Sequence, residues 1–533
     1  MFPTSNDLTL HQPSVNDDTI FQSNLAPIKK GAKFWLIFAS MCTCLFLSAL
    51  ELSSVSTALP TIAHALHASQ FTWVGSAYSL ASTAFLPMSG GLAQTFGRRP
   101  ATLLTIGLFA LGSGICGGAN SMNMLIAGRT IQGLGGGGIQ SLTGIILADL
   151  VTLQERGLYI GLYGIIWCLA SLIGPIVGGS LAELGQWRWL FCKYCILAQN
   201  IFFLLDLPVP PGTYREKIMR MDWIGNFLVI ASTTASTIGL TWGGTTYPWG
   251  SVNVLIPLVL GLVGLGTFIA YEATLAKYPL VPFSLMTNVT SVSGYIQTFF
   301  SAFTTLAVIY YLQIYLQACK GVSPIASGVY SLSLASYALA TIITGISIKA
   351  TARYRPQAWI GWILTVISFG LLSTLLATDP LGKFIAYVIP LGWGMGMVTV
   401  TLAYPIQAPI PVAQNAPALA FMWFLRSFAS VWGIAVGGTV LQNELAKKLP
   451  AAFVNLQGAS IIYALIPELS KLPPQTLSEV QTAFANGLAA LWRVLAALSG
   501  VGLLVSLFMR GLPLHNTLDE DWALKNEKAG PSV

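Results

Sequence analysis

Charged residues are scarce in this 533-residue sequence. Lys, Arg, Asp and Glu together make up 8% of it, whereas soluble domains usually carry about 25%. Hydrophobic residues make up 54%, and the mean hydropathy is +0.70. This composition excludes a soluble globular protein and indicates an integral membrane protein.

Residues that bind metals or catalyse reactions are also few. The four histidines fall outside the apolar runs, no H-E-x-x-H occurs, and the one C-x-x-C, Cys192 to Cys195, has no second ligand pair. A membrane enzyme would need paired acids, a histidine cluster or a nucleophile with its base in the spans. A channel would need a repeated filter or a ring of ligands. We therefore expect neither an enzyme nor a channel, and no metal or cofactor.

Fourteen apolar runs are long enough to cross the roughly 30 Å of hydrocarbon in a bilayer. They lie near 34–60, 71–93, 101–121, 123–148, 157–182, 187–208, 222–243, 252–272, 290–316, 324–348, 357–377, 381–404, 417–441 and 484–509. The predicted fold class is an all-α integral membrane protein with fourteen transmembrane helices.

The charges between the runs predict the orientation. If the N-terminus is cytosolic, sixteen of the 26 Lys and Arg residues lie on the cytosolic side and seven on the outer side. The positive-inside rule therefore places both termini in the cytosol. It also accounts for the net charge of +7, so we expect no nucleic-acid partner. The first 33 residues lack the pattern of a cleaved signal peptide, and the first helix should insert uncleaved.

The runs form two groups of six separated by a pair. The predicted halves span 34–208 and 281–510, a linker with two additional helices spans 209–280, and cytosolic tails span 1–33 and 511–533. Similar basic loops after the second and tenth runs suggest a weak internal repeat. Repeated halves around a midplane site are how many secondary transporters are built.

One long outer loop, 443–481, mixes apolar residues with Pro467, Pro473 and Pro474. Proline interrupts helices, so we expect this loop to lie on the membrane surface rather than to span it.

Charged side chains within the runs are candidates for function. Glu51 lies about 25 Å along its helix from Phe34 at roughly 1.5 Å per residue, among Ser and Thr hydroxyls. Arg129 in the fourth run should face a cavity, carbonyls or an acid, unless its side chain reaches the outer end. A purely structural pairing of Glu51 with Arg129 is the alternative to a functional one. For Arg426, in the thirteenth run, a functional role and a structural role both stay open.

Glycines mark close helix packing. A G-x-G-x-x-G pattern from Gly133 to Gly138 resembles a dinucleotide fingerprint, but it lies inside an apolar helix and therefore predicts helix contact instead. In the fifth run, Gly174-Pro175 is followed by Gly178-Gly179, which predicts a kinked helix pressed against a neighbour.

Four motifs together resemble the fourteen-helix drug:proton antiporters of the major facilitator superfamily, and most of all their fungal toxin and metabolite efflux branch. LELSSVSTALP, with Glu51, is similar to the first-helix motif. GGLAQTFGRRP, with Gln94, Arg98 and Arg99, is similar to the loop after the second helix. LIAGRTIQGLG and IGPIVGG are similar to the motifs of helices four and five. The resemblance covers roughly residues 34 to 510.

The resemblance implies proton-coupled export of a small amphiphilic organic compound by a plasma-membrane monomer, through rocking of the two halves. Glu51 would carry the proton, and Arg129 would tune it and bind anionic groups. The predicted substrate-binding residues are Gln132, Trp167, Gln297, Tyr311 and Trp423. Proton-coupled import, for example of a siderophore, is the alternative, because the same architecture serves both directions.

One motif departs from the family pattern. The acid of the loop after the second helix is Gln94 here, and its first arginine is Thr95. In the family this acid is thought to pair with basic loop residues and latch the outward-open state. We expect Arg98 and Arg99 to lack that charge partner, so that the latch is weaker or built differently.

Overall fold

The computed structural model describes residues 30–66, 72–191, 213–244, 247–281, 283–322, 324–449, 466, 469 and 472–514. These residues are mainly helical and form no β-strand; two of them, Gly243 and Tyr247, form an isolated bridge. The all-α prediction is confirmed for this part of the chain.

Within the described ranges, five helices precede the linker, three lie in it and eight follow it. The first group comprises α1 (Ala32–Ala65), α2 (Thr72–Thr95), α3 (Arg98–Gly117), α4 (Met122–Leu150) and α5 (Leu153–Glu183). The linker group comprises α6 (Tyr214–Met219), α7 (Trp223–Trp242) and α8 (Val252–Thr274). The last group comprises α9 (Val289–Ile314), α10 (Pro324–Ser331), α11 (Ser336–Thr351), α12 (Arg355–Leu372), α13 (Leu381–Thr401), α14 (Ala403–Gln407), α15 (Asn415–Lys448) and α16 (Pro474–Leu507).

Ten helical segments in the described ranges are long and apolar enough to cross a membrane. α2, α4 and α12 match predicted runs but are not among the ten. In α4, seven glycines and Arg129 lie on a helix that is mostly enclosed by protein, so lipid-facing apolar side chains are few. Most of the sixth run, 187–208, falls outside the described residues. The total of fourteen stays a prediction.

The outer loop is shorter than the sequence predicted. α15 continues to Lys448, and α16 already begins at Pro474, so both ends of 443–481 are helical. No helix runs through Pro473 and Pro474: α16 begins at Pro474, because proline fits the first helical turn, where its missing N–H has no intrahelical partner anyway. Most of the segment between these helices lies outside the described residues.

The helices pack as two bundles with a hairpin beside them. In the N-terminal bundle α4 packs on α2 and α3, and α1 packs on α5; in the C-terminal bundle α9 packs on α15, and α13 packs on α11 and α12. α7 and α8 form the hairpin, and α7 also contacts α2 and α15. The two bundles, called the halves from here on, meet along α2 with α15 and along α5 with α11.

One end of the molecule, called the basic end, gathers the loops after α2, α4 and α11. Arg98 at the start of α3 contacts Asp149 at the end of α4, and Lys30 before α1 forms an ion pair with Glu155 at the start of α5, 3.4 Å away. Lys349 at the end of α11 contacts the same Glu155 at 2.8 Å. The halves are therefore in direct contact at the basic end.

Candidate functional site

Glu51 of α1 forms an ion pair with Arg129 of α4 inside the N-terminal half. Glu51 is 0% exposed and Arg129 1% exposed. Charges in a low-dielectric interior persist only when they are paired and hydrogen-bonded. The pairing that the sequence left open is therefore present in this structure, and neither side chain reaches solvent.

Arg129 makes three further contacts. Its Nε donates to the Val74 carbonyl at 3.0 Å, a terminal nitrogen donates to Gln132 Oε1 at 2.7 Å, and its guanidinium lies 4.5 Å from the centre of the Tyr78 ring. Gln132 Nε2 in turn donates to Ser113 Oγ of α3 at 2.8 Å. A single polar network thus connects α1, α2, α3 and α4.

The two oxygens of the Glu51 carboxylate differ in their contacts. Glu51 Oε1 accepts from Arg129, but the buried Oε2 has no hydrogen-bond partner among the residues that the structure describes. A protonated carboxyl carries its hydrogen on one oxygen and still accepts on the other. The arrangement can therefore take up a proton at Oε2 while Oε1 keeps its contact.

Glycines of α4 bring the neighbouring helices to the network. A β-carbon at Gly133 would collide with the backbone of Tyr78, and one at Gly137 would collide with the backbone of Ser82. Helix axes approach this closely only where side chains are absent. The G-x-G-x-x-G run thus serves helix contact in this structure and positions Tyr78 against Arg129.

The glycines of α5 lie against α1, next to Glu51. Gly174 faces Ser53 and the carbonyl of Leu50, and Gly178 faces the backbone of Ser54. Ser53 Oγ also donates to the Ala170 carbonyl of α5 at 3.2 Å. The neighbour of this motif is therefore the stretch of α1 that carries the carboxylate. Gly179 is partly buried, and the side chain of Pro175 lies outside the described structure.

The four predicted cavity residues other than Gln132 lie apart from one another. Gln297 is buried and accepts from Trp362 Nε1 at 3.0 Å, and the hydroxyl of Tyr311 donates to the Ile434 carbonyl at 2.7 Å. Both contacts lie within the C-terminal half and favour a structural role in this conformation. Trp167 of α5 is 38% exposed. Trp423 of α15 fills the space beside Gly144 of α4, so it lies where the halves meet.

Arg98 has a charge partner, contrary to the expectation from the loop motif. Its Nε donates to Asp149 Oδ2 at 2.8 Å, and a terminal nitrogen donates to the Ala93 carbonyl at 2.9 Å. Sequence reasoning missed Asp149 because it lies in the last turn of α4, where a charge can reach solvent at no great cost. Arg99 is partly buried.

Gln94 contributes to the contact between the halves. Its Nε2 donates to the Ala413 carbonyl just before α15 at 3.5 Å. A neutral hydrogen bond thus occupies the place where the family motif has an acid, and the contact is built differently, as the sequence allowed.

A second set of contacts at the basic end was also missed by sequence reasoning. Arg156 of α5 donates to Gln407 of α14, and Gln154 Nε2 donates to the Lys349 carbonyl at 2.8 Å. The Gly157 amide donates to the Tyr404 hydroxyl at 3.0 Å. Four consecutive residues of α5, from Gln154 to Gly157, therefore hold the C-terminal half. The only signal for them in the sequence was the basic Arg156 of a cytosolic loop.

Comparison with known proteins agrees with this geometry. The model of the Major Facilitator Superfamily matches residues 41–434. The MFS-type efflux pump LUC4 of Fusarium sp is 36% identical over 96% of this chain and 94% of its own. The efflux pump FUS6 of Gibberella fujikuroi is 36% identical over 94% of this chain and 93% of its own. An acurin A biosynthesis cluster MFS-type transporter of Aspergillus aculeatus is 35% identical, with the same coverage as FUS6.

Solved structures show the same fold at low identity. The human organic anion transporter MFSD10 (TETRAN) superposes with a TM-score of 0.60 at 14% identity, over 90% of this chain and 100% of its own. The proton:xylose symporter XylE superposes with a TM-score of 0.53 at 16% identity, over 90% of this chain and 97% of its own. The chain is therefore a multi-pass membrane transporter, not an enzyme, and it belongs to the major facilitator superfamily.

Proposed function

We propose that this transporter exports a small amphiphilic organic compound, such as a drug, toxin or secondary metabolite, in exchange for protons. The observation that carries the proposal is the enclosed ion pair of Glu51 and Arg129, with one carboxylate oxygen unpartnered among the described residues. The names of the fungal relatives support the direction of transport, since LUC4 and FUS6 are called efflux pumps.

The pair suits proton exchange because its two states differ in charge. While Arg129 contacts Glu51, the carboxylate can remain ionised in the interior. If helix motion withdraws the arginine, a bare buried carboxylate is costly and protonation removes its charge. A movement of α1 against α4 would thus load a proton, and the return movement would release it.

We propose that this movement within the N-terminal half accompanies a rocking of the two halves, which we assign to 34–208 and 281–510. In the described structure the basic end is closed by Gln154 to Gly157 of α5 against α11 and α14. We assign this end to the cytosol, together with both termini of a plasma-membrane protein of fourteen spans. Opening these contacts would admit substrate from the cytosolic side.

Transport into vesicles of defined orientation tests the proposal. The probes are carboxyfluorescein, an amphiphilic anion, and a cationic rhodamine. If the proposal is right, the protein moves one of the probes from the basic end to the opposite face. This movement is faster when a proton gradient drives protons in the opposite direction, and a protonophore abolishes the acceleration. Movement of probe and protons in the same direction would instead indicate an importer. Flux that ignores the proton gradient would contradict coupling.

A further inference from the structure

Arg426 of α15 is a second arginine inside a membrane span, and its surroundings differ from those of Arg129. It lies eleven residues into the helix, about 16 Å from its first residue at 1.5 Å per residue. In the described ranges its guanidinium has neither a hydrogen bond nor an ion pair; its one recorded contact is with the Trp423 ring, 5.8 Å away. Placing an arginine at such a depth in a membrane costs free energy, and such residues usually serve a function.

The position of Arg426 on its helix places it near the interface between the halves. Trp423 packs on Gly144 of α4 in the N-terminal half, and Gly433 packs on Phe303 of α9 in the C-terminal half. At 3.6 residues per turn, Arg426 lies on the strip of α15 between these two contacts. The residue is partly buried, so part of its side chain remains accessible.

Among the residues that the structure describes, no acid forms an ion pair with Arg426. Between residues 289 and 449 the sequence holds two acids, Asp379 and Glu444. Asp379 contacts Lys383 at 2.8 Å, and Glu444 contacts Lys447 at 3.0 Å at the far end of α15. In the N-terminal half, Glu51 and Asp149 are engaged by Arg129 and Arg98. The charge at Arg426 is therefore uncompensated in the described structure.

The ring of Trp423 lies beside this charge, and its Nε1 edge packs against Gly144 of α4. The indole Nε1 of Trp423 is buried and has no acceptor within the part of the chain that is described. Next to Arg426 in the sequence, the hydroxyl of Ser427 forms a hydrogen bond with that of Thr83 in α2, across the interface between the halves. Arg426 is thus a charged donor without an acceptor among the described residues, and it lies beside an aromatic ring where the halves meet.

We infer that Arg426 binds the carboxylate of an amphiphilic organic acid, which makes the transported compound an anion. Arginine binds carboxylates through two parallel N–H groups, and the ring of Trp423 beside it would cover the apolar part of the ligand. Arg129, which the sequence assigned to anionic groups, is neutralised by Glu51 and enclosed. This inference rests on the proposed export function, because it names the substrate class of that transporter.

Equilibrium binding tests the inference without any proton gradient. The probes are 2-naphthoate and the uncharged 2-naphthamide, which share size and shape. The full-length protein is held in phosphatidylcholine nanodiscs, so that no anionic lipid competes, and binding to empty discs is subtracted. We expect the wild type to bind naphthoate about tenfold or more tightly than naphthamide, as a charged hydrogen bond supplies.

Arg426→Gln should weaken naphthoate binding until the two probes bind alike, and should leave naphthamide binding unchanged. Retained naphthamide binding also shows that this variant is folded. Arg426→Lys keeps the charge and should retain part of the preference. Arg493→Gln makes the same chemical change on an exposed position of α16 and should change nothing.

Equal binding of both probes by the wild type, or an unchanged preference in Arg426→Gln, would overturn the inference. Neither result depends on transport, so the export proposal would stand or fall separately in the vesicle assay. If phosphatidylserine in the discs displaces naphthoate only from proteins that keep Arg426, the site takes anions but a lipid headgroup is its occupant. That result would also overturn the assignment to a transported acid.

Discussion

At the scale of single residues, Arg129 is the centre of the polar contacts in the N-terminal half. It contacts Glu51, Gln132, the Val74 carbonyl and the Tyr78 ring. Breaking a buried ion pair by removing one partner costs about 3–5 kcal/mol, because the other charge is left uncompensated, whereas removing both charges costs much less. The stability of variants at these two positions should therefore be coupled.

We predict that Arg129→Gln lowers the melting temperature of the detergent-solubilised protein strongly. The double variant Glu51→Gln with Arg129→Gln should recover much of the loss, since no buried charge remains. Thermal unfolding of the wild type, both single variants and the double variant measures the coupling. Additive losses would mean that the two side chains do not stabilise each other.

Residues also show how far sequence reasoning reaches. Glu51 and Arg129 could be found because a charge inside an apolar run is costly and therefore conspicuous. Asp149 and Gln407 could not be found in this way. A charge in the last turn of a helix and an uncharged amide in an apolar helix are both common and do not by themselves indicate a function. Their roles depend on which helices are neighbours, and no local pattern in the sequence specifies that.

At the scale of helices, close contacts between glycines hold the basic end shut. Gly157 of α5 lies against the backbone of Gly345 of α11, and a β-carbon at Gly345 would be 2.5 Å from the Gly157 carbonyl carbon. Such a separation forces the helices apart. Because α5 and α11 belong to different halves, the strain falls on the interface and not within a bundle.

We predict that Gly345→Ala shifts the population toward a state that is open at the basic end. The expected result is faster labelling of a cysteine at Ser427 by a membrane-impermeant maleimide added from the basic side, in a background without native cysteines. Gly370→Ala is the matched control, since a β-carbon at Gly370 of α12 would meet nothing within 4 Å. Equal labelling in both variants would contradict the role of the Gly157–Gly345 contact as part of the closure.

Helix boundaries follow the sequence where runs are uniformly apolar and depart from it where they are not. The predicted runs place α1, α7 and α8 within a few residues of their observed limits. The start of α16 at Pro474 was missed, because a proline in a polar stretch is compatible both with a helix break and with the first turn of a helix. The enclosed α4 shows that a spanning helix need not be the most hydrophobic when other helices cover it.

At the scale of the whole molecule, the two halves differ in how the charge of their intramembrane arginine is compensated. The N-terminal half neutralises its buried arginine internally with Glu51, whereas the C-terminal half presents Arg426 without a described partner. The proposed mechanism uses both features: the neutral pair exchanges a proton, and the free charge holds an organic anion. Proton binding and substrate binding then occur at separate places and are coupled by the rocking of the halves.

The central claim is that Glu51 couples protons to transport, and proton-driven transport by Glu51→Gln tests it most directly. Wild type and variant are placed in vesicles at equal amount and orientation, and movement of carboxyfluorescein is measured with and without a pH gradient. Glu51→Gln leaves the charge of Arg129 uncompensated and should lower the melting temperature, but the glutamine can still accept from Arg129, and retained binding of 2-naphthoate identifies the folded protein that enters the comparison. The account predicts that Glu51→Gln gains nothing from the gradient, while Glu51→Asp retains part of the acceleration. Wild-type acceleration in Glu51→Gln would contradict the account and leave Glu51 as a structural partner of Arg129.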